Sequence, residues 1–196
     1  MINYLKGTFV SITPSSVIID VQGMGYEVNI SLNTYSQIQH LEKGLLHTHL
    51  LIKEDAHLLY GFADTGEKEI FLLLLSVSGI GANTARLILS YMRPEEVASA
   101  IARGDSKALE RIKGIGKKTA ERAILELKDK IGKQPADAHA IATEKDTTGN
   151  IRQDALEALM ALGINRQLAE QNIAKILQAA PDLPLEELIK NVLKGL

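Results

Sequence analysis

The sequence predicts a multidomain chain, β then α: an OB-like β-barrel, a helical domain built on two glycine hairpins, and a small three-helix module at the C-terminus. Three observations carry this. Short strand-like runs alternate with turn signals up to about Asp64, the apolar period turns helical from Gly66 with one glycine motif written twice, and a stretch without an apolar stripe separates the final helices.

Between Tyr4 and Phe62, runs rich in Val, Ile, Leu and Tyr are separated by Pro14-Ser15-Ser16 and by Gln22-Gly23, the pattern of strands punctuated by turns. Val17 to Val21, Tyr26 to Ile30, Leu45 to Lys53 and Leu58 to Phe62 are the clearest. About five strands in some 60 residues suit a small barrel, of which the OB-fold is the commonest nucleic-acid-associated kind. Periodicity alone does not choose that topology. The barrel is assigned to residues 1–64.

Residues 65–133 read as all helix, with Pro94-Glu95-Glu96 marking a helix start and Gly104-Asp105 a stop and restart. Within them Gly79-Ile80-Gly81-Ala82-Asn83-Thr84-Ala85 repeats as Gly114-Ile115-Gly116-Lys117-Lys118-Thr119-Ala120, offset by 35 residues. Residues 134–149 carry neither an apolar stripe nor turn chemistry, so a flexible linker is expected, with an r.m.s. span of roughly 20 to 25 Å. Residues 150–196 then give three short amphipathic helices: Ile151 to Leu162, Leu168 to Ala180, and a last one behind Pro184. In that last helix Leu185, Leu188, Ile189, Val192 and Leu193 recur at helical spacing.

Composition narrows the chemistry. The chain has no cysteine, which excludes a disulfide scaffold, a thiolate zinc site and a cysteine nucleophile. The N-terminus lacks an apolar signal region and the longest apolar run, Ile70 to Leu75, is far too short for a bilayer. A soluble, unprocessed, cytoplasmic protein is expected. The net charge of −2 taken alone argues against a nucleic-acid partner, because phosphate affinity rests on Lys and Arg. Its distribution reverses that. Residues 1–64, 65–133 and 134–196 carry −3, +4 and −3, so a basic centre lies between acidic flanks.

A Gly-hydrophobic-Gly turn between helices does a specific job. Its glycines tolerate positive φ and lack a Cβ, so a phosphate can approach the backbone. The apolar residue packs inward, while the N–H groups of the turn and of the next helix's first turn form an anion site aided by the helix dipole. Lys117 and Lys118 add charge there, and Arg111 to Arg122 holds five basic residues against one acid, Glu121. Such contacts hold the backbone and read no bases. A single Gly-Ile-Gly is as readily a tight helix connection; two matched copies in the one basic segment favour the anion site. The DNA-binding set is therefore Gly79, Gly81, Asn83, Thr84, Gly114, Gly116, Lys117, Lys118, Thr119 and Arg122.

This pattern resembles the tandem helix-hairpin-helix motif of DNA repair and recombination proteins, and its position behind a β-domain is similar to the RuvA family over nearly the whole chain. In the first copy Ala82-Asn83 stands where that motif often has a basic residue, with Arg86 nearby. The resemblance implies structure-specific binding of four-way (Holliday) junction DNA, without catalytic residue, cofactor or metal. It also implies delivery of that DNA to the RuvB motor, the RuvC resolvase as a further partner, and a homotetramer able to pair face to face with a second. Glu54 and Asp55 lie between Leu45 to Ile52 and Leu58 to Phe62. By themselves such acids read as a solvated hairpin tip. The resemblance makes them an acidic pin that repels phosphates at the crossover. It further implies that Leu159, Leu162 and Ile164 of the ubiquitin-associated-like C-terminal module contact the motor, although a three-helix domain also needs leucines inside. Ile164 departs from the aromatic found there in some relatives.

Other chemistries fit less well. Gly116-Lys117-Lys118-Thr119 lacks the P-loop spacing, with Arg111 where a glycine is needed and Lys118 where Ser or Thr should follow the lysine. His47, His49 and His57 have no clear fourth zinc ligand and read as strand residues. Asp20, Glu27 and Asp64 are scattered, without the spacing of a two-metal nuclease. Asp129 stands where a hairpin-containing glycosylase could hold its catalytic acid, but within Leu127-Lys128-Asp129-Lys130 a solvated helix pair is the better reading. The enzyme alternative is such a glycosylase or nuclease; the interaction alternative makes the C-terminal module the principal site.

Overall fold

The computed structural model describes residues 1–131, 147–180 and 183–194, without the side chains of 147–150 and 179. These residues form two units.

The first unit opens with β1 (Tyr4–Ile12), β2 (Ser16–Val21), β3 (Met24–Ile30), a short helix α1 (Leu32–Ile38), β4 (Lys43–Ile52) and β5 (His57–Phe62). They close a barrel in the order β1-β2-β3-β5-β4, as expected of the OB-like class. Gln22 and Gly23, both at positive φ, make the two-residue turn between β2 and β3, a geometry that matches strand twist. Inside lie Leu5, Phe9, Val17, Ile19, Val28, Ile30, Leu46 and Leu59, with Ile38 of α1 packed against them. Helix α1 is an addition to the expected all-strand stretch. Ser31 caps it by accepting a hydrogen bond from the Thr34 N–H.

Five helices follow: α2 (Thr65–Leu75), α3 (Ala82–Tyr91), α4 (Pro94–Arg103), α5 (Ser106–Glu110) and α6 (Lys117–Ile131). Asp64 starts α2 by accepting from the Glu67 N–H, Gly104 ends α4 in the left-handed region, and the Asp105 carboxylate starts α5. Their core contains Phe71, Leu74, Ile88, Leu89, Val97, Ile101, Leu109 and Leu127, and Tyr60 and Phe62 of the barrel belong to it. Phe71 lies 5.2 Å from Tyr60 and 4.8 Å from Phe62, ring centre to ring centre. Barrel and hairpin helices therefore share packed aromatic surface, which fixes α2 on β5.

A buried polar group reinforces the joint. Glu67 is fully buried, and its carboxylate accepts hydrogen bonds from the Ser31 hydroxyl and, at 2.7 Å, from the Thr34 hydroxyl. Burial raises its pKa above the ordinary glutamate value and nearby Asp64 adds to the rise, against the hydrogen bonds that favour the anion. Between the ordinary value and the raised one, the folded unit keeps a proton that the unfolded chain has released. Stability thus falls as pH rises through that window and returns on acidification. The melting temperature of wild type relative to Glu67→Gln is expected to rise as pH is lowered from neutrality towards the ordinary glutamate value. Parallel melting curves across that range would place the group's titration elsewhere.

The second unit contains α7 (Thr147–Ala161), α8 (Arg166–Ala179) and α9 (Leu185–Lys194) around Ala155, Leu156, Leu159, Ala169, Ile173, Leu188 and Val192. The expected linker lies outside the described residues over 134–146, and α7 already includes 147–149. No described helix is long and apolar enough to cross a membrane.

Candidate nucleic-acid interface

The two glycine motifs form the same hairpin twice. In the first, the Val77 N–H donates to the Leu74 carbonyl, the Ile80 N–H to that of Val77, and the Ala85 N–H to that of Gly81. In the second, Ile112 bonds Leu109, Ile115 bonds Ile112 and Ala120 bonds Gly116 in the same way. Ile80 and Ile115 are buried and hold their turns against the helical core. The glycines divide the work in a way the motif did not specify. Gly79 and Gly114 both have φ +95, where a side chain would be strained. Gly81 has φ −87, and no atom lies within 4 Å of a Cβ built on it or on Gly116. Gly81 also leaves α3 without a side-chain cap, so first-turn N–H groups remain for an anion.

The hairpins lie side by side. A Cβ placed on Gly79 would sit 3.7 Å from the methyl of Thr119, the Arg122 guanidinium donates to the Ser78 carbonyl at 3.4 Å, and the Lys130 amine reaches the Ser76 hydroxyl at 3.1 Å. Lys117 and Lys118 are both exposed at the start of α6. Lys117 stands 3.9 Å from Glu121 in an exposed pair, too weak to withhold its charge from a phosphate. Thr84 is half-buried and Asn83 exposed on the first turn of α3.

Arg86, the cation near the uncharged first copy, reaches to the barrel. Its guanidinium donates to the Ser15 carbonyl at 2.8 Å and lies 3.4 Å from the Asn29 side-chain oxygen, both in the barrel. The Tyr60 hydroxyl donates to the Asn83 side-chain oxygen at 3.1 Å. Neither contact is visible in the local sequence, because both join residues far apart in the chain. Burial raises the Tyr60 pKa, against the pull of Arg86, so its hydroxyl remains a donor through the neutral range.

Glu54 and Asp55 are exposed at the tip of the β4–β5 hairpin, beyond the Ile52 and His57 pair, where the Lys53 N–H closes the turn on the Ala56 carbonyl at 2.8 Å. Among the other singled-out groups, His49, Asp20 and Asp64 have local structural contacts. His49 packs edge-on against Phe71, and burial, with Lys68 beside it, lowers its pKa. Asp20 accepts from the Gly23 N–H, Asp64 caps α2, and Asp129 is exposed on α6. Among the described residues no group of three or more His, Asp or Glu side chains is placed to hold a metal.

In the second unit the expected contact residues separate. Leu159 is fully buried in the three-helix core, the packing role a small helical domain asks of its leucines. Leu162 is 61% exposed just beyond α7, with Met160 and Leu168 exposed as well. Ile164 packs partly against the core.

Comparison with known proteins matches three family models to the chain: the RuvA N terminal domain to residues 1–61, the SAM-like helix-hairpin-helix tandem to residues 71–129, and the RuvA C-terminal domain to residues 150–196. The chain is 46% identical over 196 residues to the Holliday junction branch migration complex subunit RuvA of Christiangramia forsetii, covering 100% of both. It is 48% identical over 197 residues to the protein of that name from Cytophaga hutchinsonii, covering 99% of both. The one from Bacteroides fragilis is 44% identical over 201 residues, again with 100% of both covered.

Proposed function

The chain belongs to the RuvA family, and from that premise we propose that it binds four-way junction DNA, holds it open and presents it to a RuvB-type ATPase for branch migration. The observation that carries this reading is the pairing of two hairpins with the same hydrogen-bond pattern, side by side on a unit whose barrel carries an acidic tip. The turn and first-turn backbone at Gly79, Gly81, Gly114 and Gly116 receives phosphates, with Asn83, Thr84, Lys117, Lys118, Thr119 and Arg122 around them. These groups hold the sugar-phosphate backbone and leave sequence unread. The chain itself performs no catalysis; ATP hydrolysis belongs to the motor, and a RuvC-type resolvase acts on the same junction. The working form is a fourfold assembly, able to pair face to face, in the cytoplasm. Sedimentation of the full chain with a synthetic four-way junction or a duplex of equal length tests this. A discrete tetrameric complex on the junction is expected, and equal behaviour with both DNAs would sink the reading.

Glu54 and Asp55 act as the pin. Two carboxylates from each of four subunits meet the converging phosphates, and each close like-charge pair is repulsive by roughly 1 kcal/mol or more where water is partly excluded. Glu54→Gln with Asp55→Asn removes the charge and keeps the shape. The double variant is expected to bind the junction more tightly, with a gain that shrinks as salt is added, and to discriminate less against duplex. Equal affinities at low salt would place the tip away from the DNA.

A further inference from the structure

Helix α3 meets the barrel through a polar stripe. Asn83, Arg86 and Ser90 recur at i, i+3 and i+7, which places them on one helix face. Asn83 takes the Tyr60 hydroxyl of β5, and Arg86 takes the Ser15 carbonyl and the Asn29 side chain of β3. The Ser90 hydroxyl accepts from the Leu32 N–H at 3.1 Å. Beside this face runs a cleft of about 710 Å³, lined in part by Ser15, Ile30, Asn83, Arg86 and Ser90, so apolar packing does not fill the joint. The aromatic cluster at Phe71 fixes α2, and α3 adds Ala85, Ile88 and Leu89 to the same core; the polar contacts fix the face of α3 that this core leaves to the barrel. Tyr60 also stands on the strand that leads directly from the acidic tip, and the five residue steps from Asp55 to Tyr60 span at most about 18 Å. The hydrogen bonds from Arg122 and Lys130 in turn tie α6 to the first hairpin.

We propose that Asn83, Arg86 and Ser90, with Tyr60 as their partner in the barrel, are positioning residues that hold both hairpins at a set place relative to the Glu54-Asp55 tip. This fixed placement gives the chain its preference for a four-way junction over duplex. Duplex needs only the phosphate grip of the hairpins. A junction must meet hairpins and tip together, so any play in α3 weakens the junction complex alone. The inference rests on the junction-binding reading above.

The test compares junction and duplex affinities, each across a salt series, for wild type, Tyr60→Phe, Arg86→Ala and Arg86→Lys, with folding checked by thermal melts. Tyr60 is 2% exposed, so loss of its hydroxyl reaches DNA only through Asn83. Tyr60→Phe and Arg86→Ala are each expected to lower the junction-to-duplex affinity ratio by up to about tenfold, with duplex affinity and salt slopes unchanged. Arg86→Lys keeps the charge but not the guanidinium Nη1 that makes both barrel contacts from one position, and is expected to behave as Arg86→Ala does. A salt slope lowered by about 1 in Arg86→Ala and restored in Arg86→Lys would make Arg86 a phosphate ligand and overturn the proposal. So would an unchanged affinity ratio in both Tyr60→Phe and Arg86→Ala. A wild-type chain with no junction preference would instead remove the function itself, and the stripe's role with it.

Discussion

Replacing Lys117 and Lys118 by alanine is expected to weaken binding to four-way junctions of any sequence alike, by roughly tenfold for each charge taken from the interface. The slope of log affinity against log salt should fall by about 1 for each phosphate no longer neutralised. Both effects follow from position. The two lysines begin α6 beside the open backbone of Gly116, both are exposed, and the 3.9 Å approach of Lys117 to Glu121 is their one ion pair among the described residues. An exposed pair of that kind contributes little to stability, so the double variant should melt with wild type. Its weaker affinity can then be assigned to the interface. An unchanged salt slope would place the second hairpin away from the DNA.

Leu159→Asp and Leu162→Asp are expected to fail in opposite ways. Leu159 is fully buried among Ala155, Leu156, Ile173, Leu188 and Val192. A carboxylate there leaves a cavity and a charge without a partner, destabilising the unit by at least about 3 kcal/mol, enough to unfold a three-helix domain. Leu162 follows the end of α7 and is 61% exposed. Leu162→Asp should keep the helical circular dichroism and junction binding of the full chain while losing stimulation of the motor's ATPase. Full stimulation by a folded Leu162→Asp chain would show that the motor docks elsewhere.

These two leucines mark the limit of what is legible in the sequence. The stripe Ala155, Leu156 and Leu159 belongs to a helix face, and three residues further Leu162 continues the same count. Leu162 still closes a helical hydrogen bond on the Ala158 carbonyl, but the helix stops at Ala161 and Gly163 turns the chain at φ +89, so Leu162 stands at the end of the stripe where the core no longer covers it. The glycine is plain in the sequence, but its consequence depends on where the helix ends. The hairpins are legible because their rule is local: a positive φ, an inward isoleucine and a helix start all fall within seven residues. Helix α1 escapes because seven residues carry little periodic signal, although Ser31 ahead of Thr34 is a capping pattern. Arg86 reads locally as a spare cation, and Glu67 gives no local sign of its burial. The partners of both lie far away in sequence, and local spacing says nothing about such contacts.

The two kinds of glycine in each hairpin impose different kinds of constraint. At Gly79 and Gly114 the backbone itself demands glycine, so a substitution harms the fold and any measure of folding records it. At Gly81 a methyl group meets neither strain nor neighbour, and Gly116 has the same open space. Alanine at Gly81 should if anything stabilise the chain slightly, by narrowing the unfolded ensemble. On the proposed function, glycine at these two positions serves a molecule outside the chain, the approaching phosphate. A library sorted for soluble, well-folded protein would therefore enrich replacements at Gly81 and Gly116 while discarding those at Gly79 and Gly114. The survivors would be well-behaved proteins with a blocked binding face.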